Sequence, residues 1–335
     1  MTRSIPEGTD EEVLLHMYTT AVKIRKFETK VYEVFNLNLI PGTMHLYRGE
    51  EAVATGVCAN LTDDDYITST HRGHGHCIAK GADLKKMMAE LFGRRDGYSK
   101  GRGGSMHIAD FSIGILGANG VVGAGIPIST GAGLSCKLEA RFRGKDRMNA
   151  CASFFGDGAS NQGANFHGSL NLAAIWDLPI LFVLENNFYA MGTAIKRMSR
   201  LENQAEKAKA YGMPGITVDG NDVIAVYLAA KEAINRAKNG KGPTLLECKT
   251  YRHYGHSKFD PATYRPEEEK HDWVENRDPI ERFTEQLLDF GIGANQIEDI
   301  NLEVDTMIEE AVEFAKTSPE PTVEHLFEDL YAGGN

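Results

Sequence analysis

The sequence predicts an α/β protein, a mostly parallel sheet with helices on both faces plus helical extensions at the two ends. Two observations carry this. The apolar runs NACASFF (149–155) and ILFVL (180–184) do not alternate with polar residues, and helical patterns separate them, as strands buried on both faces require. The chain has 335 residues, 42% hydrophobic and 25% charged, enough for a sizeable core. No polar linker interrupts it. Residues 1–335 are therefore expected to form a single domain, with an N-terminal helical segment over 1–62 and a C-terminal helical arm over 279–335.

Asp10 reads as an N-cap. From there Leu14, Tyr18, Ala21 and Val22 begin an apolar stripe at helical spacing that runs to Phe35. Pro41 and Gly42 break the chain. A second helix is expected over Glu50–Asn60, a strand over Tyr66–Ser69, and a third helix from Asp83 to Phe92. Ten glycines fall between Gly101 and Gly133, and the second half of that tract becomes a small-residue helix. Next come the strand at 149–155, a helix over Gln162–Trp176 and the strand Ile180–Leu184. A strand at Ile216–Val218, a helix over Asp222–Asn239 and a strand at Thr244–Cys248 continue the series. From Pro279 onward the pattern is helical and acidic, which suits a surface arm or a subunit contact.

Charge and cysteine content exclude several functions. Thirty-six basic against 47 acidic residues give −11, which argues against nucleic acid or an anionic membrane as partner. No run approaches the length of a membrane span, and the start MTRSIPEGTDEE lacks a signal-peptide core. Five scattered cysteines without CxxC suggest reduced thiols in a cytoplasmic protein, not a disulfide framework or structural zinc.

The sharpest chemistry lies in FFGDGASNQG and LPILFVLENNFYAMGT. Gly156, Asp157 and Gly158 follow one buried strand; Asn186 and Asn187 end the next. A right-handed β-α-β crossover brings both tips to one sheet edge, where ligands of parallel sheets bind. One carboxylate and one carboxamide are hard donors with too little charge for a calcium cage. They suit Mg²⁺ that keeps positions open for phosphate oxygens. The glycines permit close backbone approach, and a helix expected from near Asn161 would aim free N–H groups at an anion. Gly-Asp-Gly alone is an ordinary turn. Paired with the asparagines on consecutive strands, it reads as a magnesium–diphosphate site.

This unit resembles the thiamine-diphosphate signature. With HLYRGEEA (45–52), ITSTHRGHGH (67–76), GRGGSMH (101–107), GANGVVGAGIP (117–127) and KTYRHYGHS (249–257), nearly the whole chain resembles one family. That family is the alpha subunits of the thiamine-diphosphate-dependent decarboxylating component of pyruvate, acetoin and other 2-oxo acid dehydrogenase complexes. The resemblance implies the thiamine-diphosphate-binding fold, this chain being its diphosphate half. It places Mg²⁺ on the Asp157 and Asn187 side chains and the Tyr189 carbonyl. Gly158 and Ala159 would offer N–H groups beside Gly156, Gly120 and Val122 would meet the aminopyrimidine, and Met191 would prop the bent cofactor. Arg72, supported by His74, and His256 would reach the diphosphate, with His256 and His45 catalytic near the reacting carbon.

The implied function is cleavage of acetoin or oxidative decarboxylation of pyruvate, with the two-carbon unit passed to a lipoyl-bearing transacylase. A separate beta subunit, in an α2β2 heterotetramer, would supply the glutamate for the pyrimidine ring. A branched-chain 2-oxo acid is the alternative substrate.

Three departures stand out. Asp157 and Asn187 lie thirty positions apart, one more than usual, so either a helix bulge absorbs the surplus or Asn186 becomes the ligand. His71 stands where pyruvate-type members tend to carry tyrosine. Lys258 and Phe259 replace a small polar pair. Two rival readings are a zinc hydrolase and a non-catalytic scaffold. The first would use His74 and His76, which share a face with Arg72 if residues 71–76 are extended.

Overall fold

The computed structural model describes residues 3–329; residues 1–2 and 330–335, the outermost parts of the two predicted extensions, lie outside the described residues. The chain starts with helix α1 (Glu11–Asn36). Its Asp10 cap accepts from the Val13 amide, and Glu11 and Glu12 sit at the positive end of the helix dipole. Helix α2 (Glu51–Cys58), strand β1 (Tyr66–Thr68), helix α3 (His74–Ala79) and helix α4 (Leu84–Leu91) follow. The long helix α5 (Gly125–Arg143) leads into β2 (Cys151–Gly156), and Gly144 ends it in the left-handed conformation at φ 62°. A π-helical turn (Gly163–Gly168) then runs into α6 (Ser169–Ile175) and β3 (Ile180–Asn186).

A two-residue hairpin, β4 (Tyr189–Ala190) with β5 (Thr193–Ala194), precedes a 3₁₀ segment at Gln204–Tyr211. Strand β6 (Gly215–Asp219), helix α7 (Val223–Lys238) and strand β7 (Thr244–Lys249) complete the sheet. Helices α8 (Glu267–His271), α9 (Pro279–Asp289) and α10 (Ala294–Thr317) follow, and a 3₁₀ segment at Val323–Phe327 comes last.

The sheet is parallel throughout, in the order β1-β2-β3-β7-β6. Both its faces are apolar, which explains the unbroken hydrophobic runs. Phe154, Leu181, Val183 and Leu246 join one core with α1, α2, α7 and α10. Their alternating neighbours Phe155, Phe182, Leu184 and Leu245 join a second core with Ile126, Phe166 and Leu170.

The structure corrects the sequence reading in three places. Residues 71–76 are not extended. Gly73 caps α3, and its histidines are drawn inward by buried acids, His74 by Glu28 and His76 by Glu185. The crossover from β2 is not one regular helix from Gln162: the first turn after Gln162 is π-helical, which houses one extra residue. The C-terminal helices do not form an arm. Phe283, Leu287, Val304, Ile308 and Val312 are buried in the larger core, and Lys26–Asp305 and Lys85–Glu310 pairs tie α10 to α1 and α4. Acidic residues on their outward faces hid the apolar stripe on their inward faces.

Candidate active site

The parallel register fixes the rim of the cleft. Gly156 pairs with Glu185, so the chain leaves β2 at Asp157 and β3 at Asn187 along the same edge of adjacent strands. A cavity of about 260 Å³ opens there, bounded by Gly156, Asp157, Gly158, Ala159, Asn187 and Tyr189. Arg72, His256, Arg252, Glu50 and Met191 also face it, as do Val121 and Val122 at its mouth.

The two asparagines are sorted by their partners. Asn186 donates to Glu247 over 2.7 Å, away from the cleft, while Asn187 lines it and donates to Glu50 over 2.9 Å. The one-residue surplus between Asp157 and Asn187 is absorbed in the π-helical turn, so it does not shift the rim.

Several buried polar atoms here lack any protein partner. They are Asp157 Oδ2, Glu50 Oε2, His45 Nδ1, and Arg252 Nε and Nη1. Unpaired buried groups are costly, and a cluster of both signs at one cleft is what a charged ligand would satisfy. Burial raises the Asp157 carboxyl to about 6, against the pull of Arg252 and of the Asp157 and Gly158 amides. Burial, reinforced by Glu185, raises Glu50 to about 7. Burial and the neighbouring Arg252 lower Arg72 to about 9, still cationic at neutral pH. The floor is thus held by two guanidiniums, and a Cβ built on Gly156 would meet nothing closer than 4.0 Å.

Three imidazoles sit beside Arg72. His45 lies 4.9 Å from His256 and 4.8 Å from His71, ring centre to ring centre, and His71 lies 5.4 Å from His256. Burial first, then the Arg72 charge, push them down to about 3 for His45, 2 for His71 and 4 for His256, so all three are neutral at pH 7. Arg72 clamps the loop by donating to the Leu46 carbonyl at 2.8 Å and to the His256 carbonyl at 2.6 Å.

Some sequence-predicted residues lie elsewhere. His74 is fully buried, hydrogen-bonded to Glu28 and the Ser105 hydroxyl and not to Arg72, and it does not line the cleft. Gly120 is set back from the rim, nearest Met106 and His107, while its neighbours Asn119 and Val121 face the cleft. His45 stands behind His256 and His71. The Tyr189 carbonyl already accepts from Arg252 Nη2 at 3.3 Å, which puts a cation beside the oxygen expected to bind metal. A helix does not start at Asn161: one 3₁₀ turn, Ala159–Asn161, follows Gly158, and the next turn starts at Gly163. Met191 reaches the cleft from the hairpin tip with φ 52°, a conformation non-glycine residues seldom adopt.

Sequence reasoning missed Glu50, Arg252 and His71 as cleft residues. Arg252 sat inside KTYRHYGHS and Glu50 inside HLYRGEEA, so the signal was present but undivided. For the zinc alternative, no group of three or more His, Cys, Asp or Glu side chains is placed to hold a metal ion among the described residues. All five cysteines are buried and unpaired. No described helix is long and apolar enough to cross a membrane.

A parallel sheet with a charged, glycine-rimmed cleft at its carboxyl edge defines the class: an α/β protein whose cleft suits an anionic ligand. Residues 19–324 match the family model of the dehydrogenase E1 component. The alpha subunit of acetoin:2,6-dichlorophenolindophenol oxidoreductase from Bacillus subtilis is 52% identical over 321 residues, covering 96% of this chain and 94% of that protein. Its counterpart from Cupriavidus necator is 47% identical, covering 96% and 95%. The pyruvate dehydrogenase E1 component subunit alpha of Porphyra purpurea is 43% identical, covering 95% and 93%. The chain belongs to the dehydrogenase E1 component family.

Proposed function

We propose that this chain is the alpha subunit of a cytoplasmic thiamine-diphosphate- and Mg²⁺-dependent dehydrogenase acting on acetoin, with pyruvate as the second reading. The two acetoin-named relatives at 52% and 47% identity favour acetoin. One observation carries the cofactor assignment. Asp157 and Asn187 line one cleft with Arg252, and buried carboxyl and guanidinium atoms there lack partners.

In this reading Asp157, Asn187 and the Tyr189 carbonyl would hold Mg²⁺, the carbonyl exchanging its Arg252 contact for the ion. Arg72, Arg252 and the Gly158 and Ala159 amides take the diphosphate. Val122 and Met191 flank the rings. When bound, thiamine diphosphate supplies a carbon nucleophile and an electron sink for carbon–carbon cleavage. His256 and His45, neutral at working pH, hold or move the proton needed as the two-carbon unit passes to a lipoyl-bearing transacylase. A beta subunit in an α2β2 assembly completes the pyrimidine side.

The test is reconstitution. The assembled α/β enzyme with Mg²⁺ and thiamine diphosphate should turn over acetoin with a dye acceptor, and the purified chain alone should not. Asp157→Ala should abolish Mg²⁺-dependent cofactor affinity in calorimetry. Unchanged affinity would remove Asp157 from the site.

A further inference from the structure

Cleaving acetoin poses a proton problem that cleaving a 2-oxo acid does not. The group that leaves a 2-oxo acid is a carboxylate, already ionised, which departs as carbon dioxide. The group that leaves acetoin is a secondary alcohol, which can depart as acetaldehyde only if its O–H proton is taken. An acetoin-cleaving site therefore needs one more proton acceptor than a decarboxylating site.

The cleft lining holds two imidazoles, His71 and His256. Arg72 engages His256 through Nδ1 at 3.2 Å, and His45 lies behind the other two rings. Of the cleft acids, Asp157 is given to Mg²⁺ in the acetoin reading, Glu50 accepts from Asn187 through Oε1 and keeps only a buried Oε2 unpartnered, and Glu185 Oε1 bonds Tyr47 and His76. His71 faces the cavity, is partly open, and has no hydrogen-bond partner for either ring nitrogen among the described residues.

We propose that His71 is the catalytic base that takes the carbinol proton of acetoin. This rests on the acetoin reading above. The acetoin carbonyl carbon would first be joined to the cofactor's nucleophilic carbon, its C=O electron pair taking up a proton from solvent to become a hydroxyl. The O–H proton then moves to the His71 imidazole, and the O–H electron pair becomes the new C=O of acetaldehyde. The bond between carbinol and former carbonyl carbon breaks, and its electron pair stays with the fragment on the cofactor. His71 later returns its proton to solvent through the cleft mouth. Burial first and Arg72 next keep His71 unprotonated and, by the same lowering, make the free ring a weak acceptor; an anion bound at Arg72 would offset the second contribution and raise its basicity.

The experiment uses the assembled α/β enzyme carrying His71→Gln, which keeps polarity but cannot accept a proton. The ratio of kcat/KM for acetoin to that for pyruvate should fall by about a hundredfold, the usual scale of general-base catalysis. Calorimetric affinity for thiamine diphosphate with Mg²⁺ should stay within about threefold of wild type, under 1 kcal/mol. For His71→Ala, added free imidazole should raise acetoin turnover and not pyruvate turnover. An unchanged substrate ratio overturns the proposal, as does a loss of cofactor affinity that accounts for the whole defect. A wild-type enzyme that decarboxylates pyruvate but leaves acetoin intact would instead refute the acetoin reading itself.

Discussion

The Asn187 amide nitrogen donates to Glu50 Oε1 over 2.9 Å, and both side chains are buried at the edge of the cleft. That bond fixes which end of the amide faces which way. Its oxygen accepts only a long contact of 3.4 Å from the Tyr189 amide, so its acceptor capacity is largely spare. Next along the strand, Asn186 is turned to Glu247. One buried glutamate thus orients each asparagine.

If Asp157 and Asn187 hold Mg²⁺ as proposed, removing Glu50 should loosen that site without touching a ligand. Glu50→Ala is expected to weaken Mg²⁺-dependent cofactor binding about ten- to a hundredfold, the usual effect of deleting a residue that orients a ligand. A calorimetric Mg²⁺ titration of the assembled enzyme checks this. Affinity equal to wild type would show that Asn187 orients itself.

Arg252 has two buried nitrogens without partners, Nε and Nη1. Arg252→Met should cost at least about tenfold in cofactor affinity, because a charge-assisted bond to an anion is lost. The melting temperature of the cofactor-free protein should change little, since an under-satisfied buried cation gives modest net stability. A large drop in that melting temperature with intact affinity would make Arg252 a structural clamp on the hairpin.

Protonation should govern the stability of the cofactor-free protein. His45, His71, His253 and His256 are all depressed, to about 3, 2, 4 and 4, chiefly by burial. From about pH 4 to 6.5 the unfolded chain binds more protons at these rings, so stability rises with pH across that window and is lost on acidification. Glu50 and Asp157, raised to about 7 and 6, act in the opposite sense. Four groups outweigh two. Urea midpoints should be lower at pH 5 than at pH 7, and a flat profile would contradict the burial of these rings.

Helix α10 is expected to behave as core. Ile308, 2% exposed, packs in the larger apolar cluster, and Ile308→Ala should cost about 2–5 kcal/mol in urea unfolding. A change below about 0.5 kcal/mol, typical of surface sites, would restore the picture of a surface arm.

The parallel sheet was legible because ILFVL and NACASFF face apolar layers on both sides, so their order alone reports burial. The Asp157 and Asn187 rim was legible for a related reason: strand ends in a parallel sheet share an edge. HRGHGH was misread because its helix depends on distant partners, Glu28 and Glu185, which no local pattern reveals. Glu50 and Arg252 were hidden because a charged residue in a sequence looks solvated. Only the fold shows that both are dry. The hairpin behind Met191 left no signal, since two-residue strands carry no periodicity.

An extra residue in a regular helix would swing everything after it by about 100°. Confined to the wide coil at Gly163–Gly168, the insertion leaves Leu170 and Ala173 seated on the sheet, and β3 enters with Ile180 level with Cys151. The connection between the two strands acts as a slack loop in a taut frame, so its length can vary by one without retuning the distance between acid and amide.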